Sequence, residues 1–382
     1  MSTVTVDPAF RAIPELIREH AAARPRQPAL VQGDTCIDYG QLDALMDGVA
    51  ASLQRDGVIA GDTIAICAHS TPRYAAVFLG ALRAGVTVAP LAPSVTAEQF
   101  ASMLQDSQAR LLFADGAAAD LLRDSGAATR CIALQPSLPG TALEQWLVAE
   151  GSTPAVVALQ PQWPFNIIYS SGTTGTPKGI VQSHGMRWTH VMRGLSYGYG
   201  AGTVTLLSTP LYSNTTLVVF LPSLAYGGTV HLMARFDAAA YLALAERIRV
   251  THTMLVPVQY RRIMALADFD RHDLRSFHMK FCTSAPFDAA LKADVLALPH
   301  NTAVKGGEKV QEFLHDSLRE TQKLKEEIVT ALRNTIDFAL IAENILNREY
   351  SLPTIMGPRE ALLINVTAMV KSIFHEFVKN PQ

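Results

Sequence analysis

The sequence predicts an α/β fold made of layered parallel sheets, followed by an all-α helical tail. Short apolar runs alternate with amphipathic segments through the first 300 residues, whereas no strand-like run occurs in the last 80 or so. The charged fraction also changes, from 45 of 300 positions before residue 301 to 21 of 82 positions from there on. We therefore predict two units, 1–300 and 301–382.

The alternation begins with a buried strand at Thr63–Cys67, which follows the turn residues Gly61 and Asp62. A helix is predicted from Arg73 to Ala84, and it ends at Gly85. The same order repeats along the chain, with strands at 86–91, 110–114, 165–169 and 251–256 and helices at 97–108 and 237–249. Apolar strands separated by helices are typical of parallel sheets.

The tail contains two amphipathic patterns. Apolar residues recur with helical spacing between Glu308 and Arg348, and again between Arg359 and Val378. Gly306-Gly307 precedes the first pattern as a turn or linker. We predict a helical module whose apolar stripes pack against the rest of the chain or against a partner helix. The contact surface would lie within 308–378, and it would serve a homo-oligomer or a complex with a partner chain.

Composition excludes several classes of function. The chain has 382 residues, a formal net charge of −2 and a pI near 6.6, which argue against a general nucleic-acid binder. No run approaches the roughly 20 apolar residues of a transmembrane segment, and no secretory leader is recognisable at the start. The four cysteines are far apart and form no C-x-x-C pair, which predicts buried free thiols in a cytoplasmic protein.

The most informative segment is Tyr169–Gly179, with the sequence Tyr-Ser-Ser-Gly-Thr-Thr-Gly-Thr-Pro-Lys-Gly, directly after a predicted strand. Gly172 and Gly175 permit backbone angles that let consecutive N–H groups point inward. The hydroxyls add hydrogen-bond donors and Lys178 adds a mobile positive charge, so the segment suits the oxygens of a polyphosphate. Its spacing differs from the Walker A pattern G-x-x-x-x-G-K-[ST].

This segment resembles the signature loop of the adenylate-forming enzymes, which include acyl-CoA synthetases, luciferases and the adenylation domains of peptide synthetases. The resemblance covers about residues 8–300. Further similar segments are Asp38–Leu42, Gly61–Ile66, Leu79–Gly85, Pro90–Pro93, Pro210–Tyr212, Gly227-Gly228, Thr251–Pro257 and Thr283–Pro286. The resemblance implies that the cofactors are ATP, Mg²⁺ and coenzyme A and that the substrate is a small carboxylic acid, either aromatic or of medium to long chain.

The implied reaction has two halves: a carboxylate attacks the α-phosphate of ATP, and the thiol of coenzyme A then displaces AMP from the acyl-adenylate. By the same resemblance the phosphates are bound by Ser170, Ser171, Gly172, Thr173, Thr174, Gly175 and Lys178, with Thr174 and Lys178 as the catalytic residues. The adenine and acyl pocket is implied at Ser284, Ala285 and Pro286, and the carboxylate or acyl chain near Tyr212, Ser213 and Asn214. No metal ligand is assigned.

Two departures from the family bear on activity. Ser213 stands where the family commonly has a histidine, and beyond Pro299 we find no Tyr-Gly-x-Thr-Glu segment, ribose-binding aspartate, hinge or lid lysine. Lys371 and Lys379 are not assigned to the lid role. We therefore expect weak or absent turnover by this chain alone unless a partner chain completes the site. The alternative is a non-catalytic nucleotide-binding scaffold, or an oligomerising protein that uses the helical tail.

Three further side chains need an interpretation. His184 follows the glycine-rich segment by five residues and could approach phosphate, but we favour a helix-capping or surface role. Trp188 and Tyr197 are expected to pack in the core rather than to line an acyl surface.

Overall fold

The structure is a computed structural model that describes residues 9–135, 138, 140–170, 177–282 and 295, with the side chain of Ser170 excepted. The chain divides into two units between Val304 and Lys305, and every described residue belongs to the first unit. The predicted helical module and its oligomer contacts lie outside the described residues. They stay predictions, as does the boundary at residue 300.

In the described part of the chain, thirteen strands alternate with ten α-helices. The strands are β1 (Pro28–Gln32), β2 (Thr35–Asp38), β3 (Thr63–Cys67), β4 (Thr87–Leu91), β5 (Leu111–Ala114), β6 (Cys131–Ala133), β7 (Thr141–Ala142), β8 (Pro164–Ser170), β9 (Lys178–Ser183), β10 (Val204–Leu207), β11 (Thr229–Leu232), β12 (His252–Leu255) and β13 (Met279–Cys282). The helices are α1 (Ile13–Ala23), α2 (Tyr39–Arg55), α3 (Pro72–Arg83), α4 (Ala97–Ser107), α5 (Ala119–Ser125), α6 (Leu143–Trp146), α7 (His184–Gly194), α8 (Asn214–Ala225), α9 (Ala238–Arg247) and α10 (Pro257–Met264).

The strands form two sheets. One has seven strands in the order β7-β6-β5-β3-β4-β8-β9, and its neighbours are parallel except for the antiparallel pair β8 and β9. The other has six strands in the order β13-β12-β10-β11-β1-β2, and only β1 and β2 are antiparallel. Strand β4 is buried along its whole length, which explains why it reads as an uninterrupted apolar run.

The predicted α/β class with parallel sheets is confirmed for the described residues, and each strand and helix predicted within them agrees with the structure to within two residues at either end. The alternation of strand-like and helix-like hydrophobic patterns did not predict the two antiparallel strand pairs. Both are hairpins: β1 and β2 are joined through Gly33, which has a φ of +57°, a backbone angle that glycine adopts readily.

Several helices begin at side-chain caps that the sequence carries. Asp38 accepts a hydrogen bond from the Gln41 backbone N–H at 2.8 Å, and the Gln41 side chain accepts one from the Asp38 N–H at 3.0 Å, which together form a capping box on α2. Thr96 and Gln99 form the same arrangement on α4. These caps satisfy N–H groups that have no partner within the helix.

Close packing of α2 against α3 fixes the core beside the larger sheet. A Cβ added at Gly80 would lie only 2.6 Å from Cβ of Val49, so no larger residue fits there. The guanidinium of Arg83, which is nearly buried, donates to Asp47 Oδ1 at 2.9 Å and to the Pro14 carbonyl at 3.2 Å. Arg83 therefore joins α1, α2 and α3.

A second buried contact connects α2 to the smaller sheet. The Tyr39 hydroxyl donates to the Gly228 carbonyl oxygen at 2.7 Å and lies 3.2 Å from that of Leu224. Trp188 is also buried, so its predicted core position is confirmed, and Tyr197 is partly buried against the core. Among the cysteines, Cys67 is buried as predicted, but the prediction is wrong for Cys36, which is exposed on the short strand β2.

No helix within the described ranges is long and apolar enough to cross a bilayer.

Candidate functional site

A cavity of about 400 Å³ opens where strands of both sheets end. Its walls come from the segments that follow the carboxyl ends of β3, β4, β5, β10 and β11. The lining residues are His69, Ser70, Pro93, Ser94, Ala117, Ser208, Thr209, Pro210, Tyr212, Met233 and Ala234. Open α/β sheets bind ligands at this edge, and the volume falls in the usual range for small-molecule sites.

The hairpin of β8 and β9 carries the glycine-rich segment. Ser170 and Lys178 are opposite each other in the antiparallel register, so residues 171–177 connect them. Lys178 is exposed at the first position of β9, where its ammonium is accessible to an anionic ligand. The backbone therefore brings two of the predicted phosphate-binding residues to the base of one loop.

Tyr169 fastens this hairpin to α4. Its hydroxyl donates to Asp106 Oδ2 at 2.6 Å and lies 3.1 Å from the Met103 carbonyl oxygen. Burial, together with the Asp106 carboxylate, raises the pKa of Tyr169 and keeps the hydroxyl protonated. Gly179 is required beside this contact, because an added Cβ would lie 2.9 Å from Ile167 Cγ2 and 3.2 Å from Tyr169 Cε1.

The three predicted acyl-site residues take different places. Tyr212 lines the cavity, and burial raises the pKa of its hydroxyl. Ser213 precedes α8, and its Oγ lies 2.8 Å from Thr215 Oγ1. Neither Ser213 nor Asn214 is among the residues that line the described part of the cavity. Contact of these two residues with the acid stays a prediction.

Asn214 instead belongs to a buried network centred on Arg187. Arg187 Nε and Nη2 donate to Asn166 Oδ1 at 3.1 and 2.9 Å, and Nη2 also donates to Asn214 Oδ1 at 2.9 Å. Burial lowers the pKa of Arg187 to about 9. Because these residues lie on α7, β8 and α8, the network joins the hairpin to the segment that carries Tyr212.

The sequence contains no signal for this network, since Arg187 is 21 positions from Asn166 and 27 from Asn214. Only the folded chain brings the three together. No sequence pattern indicated the pairing of His69 with Asp115 either.

His69 and Asp115 form a pair at the cavity. Asp115 follows β5, is 2% exposed, and accepts from the His69 backbone N–H at 2.9 Å with Oδ2 and from the Ala117 N–H at 2.9 Å with Oδ1. The same Oδ2 lies 3.0 Å from His69 Nδ1. The pair forms because β3 and β5 are adjacent parallel strands, whose carboxyl ends lie side by side.

His184 differs from its predicted capping or surface role, and that prediction is wrong. It is 2% exposed, and its ring packs edge-on against the ring of Phe165, with 5.0 Å between the ring centroids. Burial lowers the pKa of His184 to about 4, so the imidazole is neutral at pH 7. The cap of α7 is Ser183, whose Oγ accepts from the Met186 N–H at 3.2 Å.

The remaining predicted site residues lie outside the described residues. They are Ser171, Gly172, Thr173, Thr174, Gly175, Ser284, Ala285 and Pro286. Within the described part of the chain, no group of three or more His, Cys, Asp or Glu is placed to hold a metal ion.

Comparison with known proteins gives consistent results. The family model for "AMP-binding enzyme" matches residues 17–307. The chain is 30% identical over 276 residues to an indoleacetate–CoA ligase of Aromatoleum aromaticum, covering 69% of this chain and 53% of the relative. It is 29% identical over 311 residues to 4-coumarate–CoA ligase 2 of Oryza sativa subsp. japonica, covering 75% of this chain and 54% of the relative.

A solved structure is also similar: the inhibitor-bound N-terminal domain of FACL13 from Mycobacterium tuberculosis, with a TM-score of 0.65 and 25% identity, covering 75% of this chain and 73% of that one. The chain spans about half the length of the two curated relatives. The family match extends over most of the chain and includes both sheets, the cavity and the hairpin with Lys178. The chain therefore belongs to the AMP-binding, adenylate-forming enzyme family and corresponds to the N-terminal portion of such an enzyme.

Proposed function

We propose that this chain carries the nucleotide- and acid-binding part of an ATP-dependent acid–CoA ligase. The reaction joins a carboxylate to the α-phosphate of ATP, releases pyrophosphate, and transfers the acyl group from AMP to the thiol of coenzyme A. The observation that carries the proposal is the hairpin of β8 and β9, with Ser170 and Lys178 paired at the base of a loop rich in glycine and hydroxyl groups.

The hairpin suits a polyphosphate for physical reasons. An ammonium on a flexible stem, as in Lys178, gives a point charge that can follow the phosphate oxygens. The hairpin itself is held by Tyr169 and by the tight contact at Gly179, so the loop starts from a fixed base. Because the two strands hold the ends of the loop in place, the positive charge of Lys178 stays near the phosphates, where negative charge develops as the carboxylate attacks. Bound Mg²⁺ would neutralise charge on the phosphate oxygens, and no described residue is assigned to it.

We place the acid in the cavity beside Tyr212. The volume of about 400 Å³ exceeds that of a single aromatic ring, which supports an aromatic acid or one of medium chain length. The names of the relatives, indoleacetate–CoA ligase and 4-coumarate–CoA ligase, support the aromatic choice. In this proposal the Arg187 network keeps Tyr212 at a constant distance from the hairpin.

We further propose that this chain alone forms the adenylate slowly. Its sequence lacks the family's metal-binding glutamate segment and the lid lysine, so water exclusion and charge neutralisation are incomplete. A partner chain that supplies these segments would raise the rate. Cytoplasmic location stays a prediction.

Isothermal titration with MgATP tests the proposal. We expect binding by the intact chain and a roughly 10- to 100-fold weaker affinity for Lys178→Ala, because a charge-assisted hydrogen bond contributes about 1.5–3 kcal/mol. Arg262→Ala is the matched control, since it also removes one exposed positive charge. Equal affinities for Lys178→Ala and Arg262→Ala would contradict the assignment.

The second candidate is a non-catalytic scaffold that oligomerises through residues 308–378. The amphipathic, highly charged pattern of that segment favours it. It predicts no heat of MgATP binding, together with an oligomer in sedimentation that is lost when residues 306–382 are deleted. Binding of MgATP by a monomer would exclude it.

A further inference from the structure

The His69–Asp115 pair is built differently from an ordinary surface ion pair. The Asp115 side chain is buried and its carboxylate accepts from two backbone N–H groups, whereas the His69 side chain is 64% exposed. Because Asp115 Oδ2 accepts a hydrogen bond from His69 Nδ1, the proton stays on Nδ1 in the neutral ring. Nε2 is then the nitrogen that can accept a proton. The ring therefore has a fixed tautomer and one available nitrogen.

Stability does not require this ring. The His69 backbone N–H already anchors the turn after β3 to Asp115 at the end of β5, and the Ala117 N–H holds the other carboxylate oxygen within its own turn. A side-chain pair with one exposed partner adds little to stability. His69 is nevertheless the one imidazole among the described residues that line the cavity. The neighbouring lining side chains offer hydroxyls, and burial raises the pKa of Tyr212, which makes it a poor base at neutral pH.

The reaction proposed above contains one step that needs a base. The carboxylic acid is ionised at neutral pH and ATP contributes no proton to be removed, but a thiol with a pKa near 8.5 is mostly protonated and only its thiolate is nucleophilic. A histidine oriented by a carboxylate is suited to remove such a proton.

We propose that His69 is the general base for the thiol of the acyl acceptor and that Asp115 is its positioning residue. The inference rests on the proposed function, which supplies the thiol and the acyl-adenylate. In the step, the S–H bond breaks and its proton moves to Nε2. The sulfur bonds to the acyl carbonyl carbon, the bond from that carbon to the phosphate oxygen breaks, and AMP leaves with the electron pair.

The test supplies the intermediate directly, so that slow adenylate formation does not limit it. The full chain is mixed with excess synthetic 4-coumaroyl-adenylate or indoleacetyl-adenylate and coenzyme A, and thioester is followed against an enzyme-free blank. At pH 7, His69→Gln should lower the enzyme-dependent rate about 100-fold, the lower end of the usual contribution of a general base. At pH 9, where the thiol ionises without help, the loss should shrink to less than 10-fold.

Two further measurements distinguish a general-base role of His69 from a structural one. Added imidazole should restore a substantial part of the His69→Ala rate, and His278→Gln, which changes an exposed histidine not among the cavity-lining residues, should match the wild type. Equal rates for His69→Gln and His278→Gln, a loss independent of pH, or no rescue by imidazole would overturn the proposal. So would the absence of thioester with the wild type.

Failure of the proposed function has a different signature. It appears as absence of MgATP binding and of adenylate formation from ATP and acid, both measured separately from the thioester step. Thioester formation from the supplied adenylate that depends on His69 would support the base even where the ATP half-reaction is absent.

Discussion

Replacing His184 by phenylalanine tests how this buried imidazole contributes to stability. The ring packs edge-on against Phe165, and Nε2 has no hydrogen-bond partner among the described residues, so the substitution removes no hydrogen bond at that atom. At pH 7 we expect a change of less than about 1 kcal/mol in the free energy of unfolding. Removing the buried, unpaired nitrogen should stabilise the protein, whereas the larger phenyl ring should destabilise it, and the two effects largely cancel.

The larger effect is in the pH dependence. Burial lowers the pKa of His184 to about 4, from the value of 6.5 of an exposed histidine. Between those values the unfolded state binds a proton that the folded state excludes, so the free energy of unfolding falls as the pH falls. From pH 7 to pH 4.5 this linkage removes about 2 kcal/mol in the wild type and nothing at this site in the phenylalanine variant.

Urea unfolding at pH 7 and pH 4.5 measures the difference directly. The wild type should lose about 2 kcal/mol more than His184→Phe between the two conditions. His190 and His252, whose pKa values burial also lowers to about 4, remain in both proteins and cancel in the comparison. Equal losses for the two proteins would mean that His184 titrates alike in the folded and unfolded states, which contradicts the expected effect of its burial.

Three further substitutions have outcomes that follow from the packing. Gly80→Ala should destabilise the protein by about 1–3 kcal/mol in urea unfolding, because the new Cβ would lie 2.6 Å from Val49 Cβ and 2.9 Å from Val49 Cγ1. Val49→Ala removes Cγ1 and should restore part of the loss. Tyr39→Phe should cost about 1 kcal/mol, since the buried Gly228 carbonyl oxygen loses its hydroxyl donor. Gly179→Ala should distort the hairpin of β8 and β9, because the new Cβ would lie 2.9 Å from Ile167 Cγ2, and should weaken MgATP binding several-fold in calorimetry, while the circular dichroism spectrum stays unchanged.

Local patterns predicted eight elements between Thr63 and Leu255, namely β3, α3, β4, α4, β5, β8, α9 and β12, and gave no prediction for the other elements of this stretch. Each of these strands is a short apolar run, and each of these helices has its own start or stop residue, such as Thr96 before α4. The same local patterns do not predict which strands pair or in which direction. Nothing in the sequences of β8 and β9 distinguishes an antiparallel hairpin from a further parallel strand, because each carries only a short apolar run beside the glycine-rich loop.

Site chemistry was predictable only where it is continuous in sequence. The loop before Lys178 could be read as a phosphate-binding segment because its glycines, hydroxyls and charge are adjacent. His69 and Asp115 are 46 positions apart, and strand order brings them together. The position of His184 was predicted wrongly because a polar residue at a helix start suggests a cap. In the folded chain Ser183 takes that role, and the ring of His184 is buried against Phe165.

A crystal structure of the chain with ATP and Mg²⁺ would show directly whether the hairpin of β8 and β9 binds the nucleotide. We expect triphosphate density against the loop between the two strands, with Nζ of Lys178 within about 3 Å of a phosphate oxygen. Nucleotide bound elsewhere, or a hairpin with no density beside it at saturating ATP, would show that this loop is not the phosphate site.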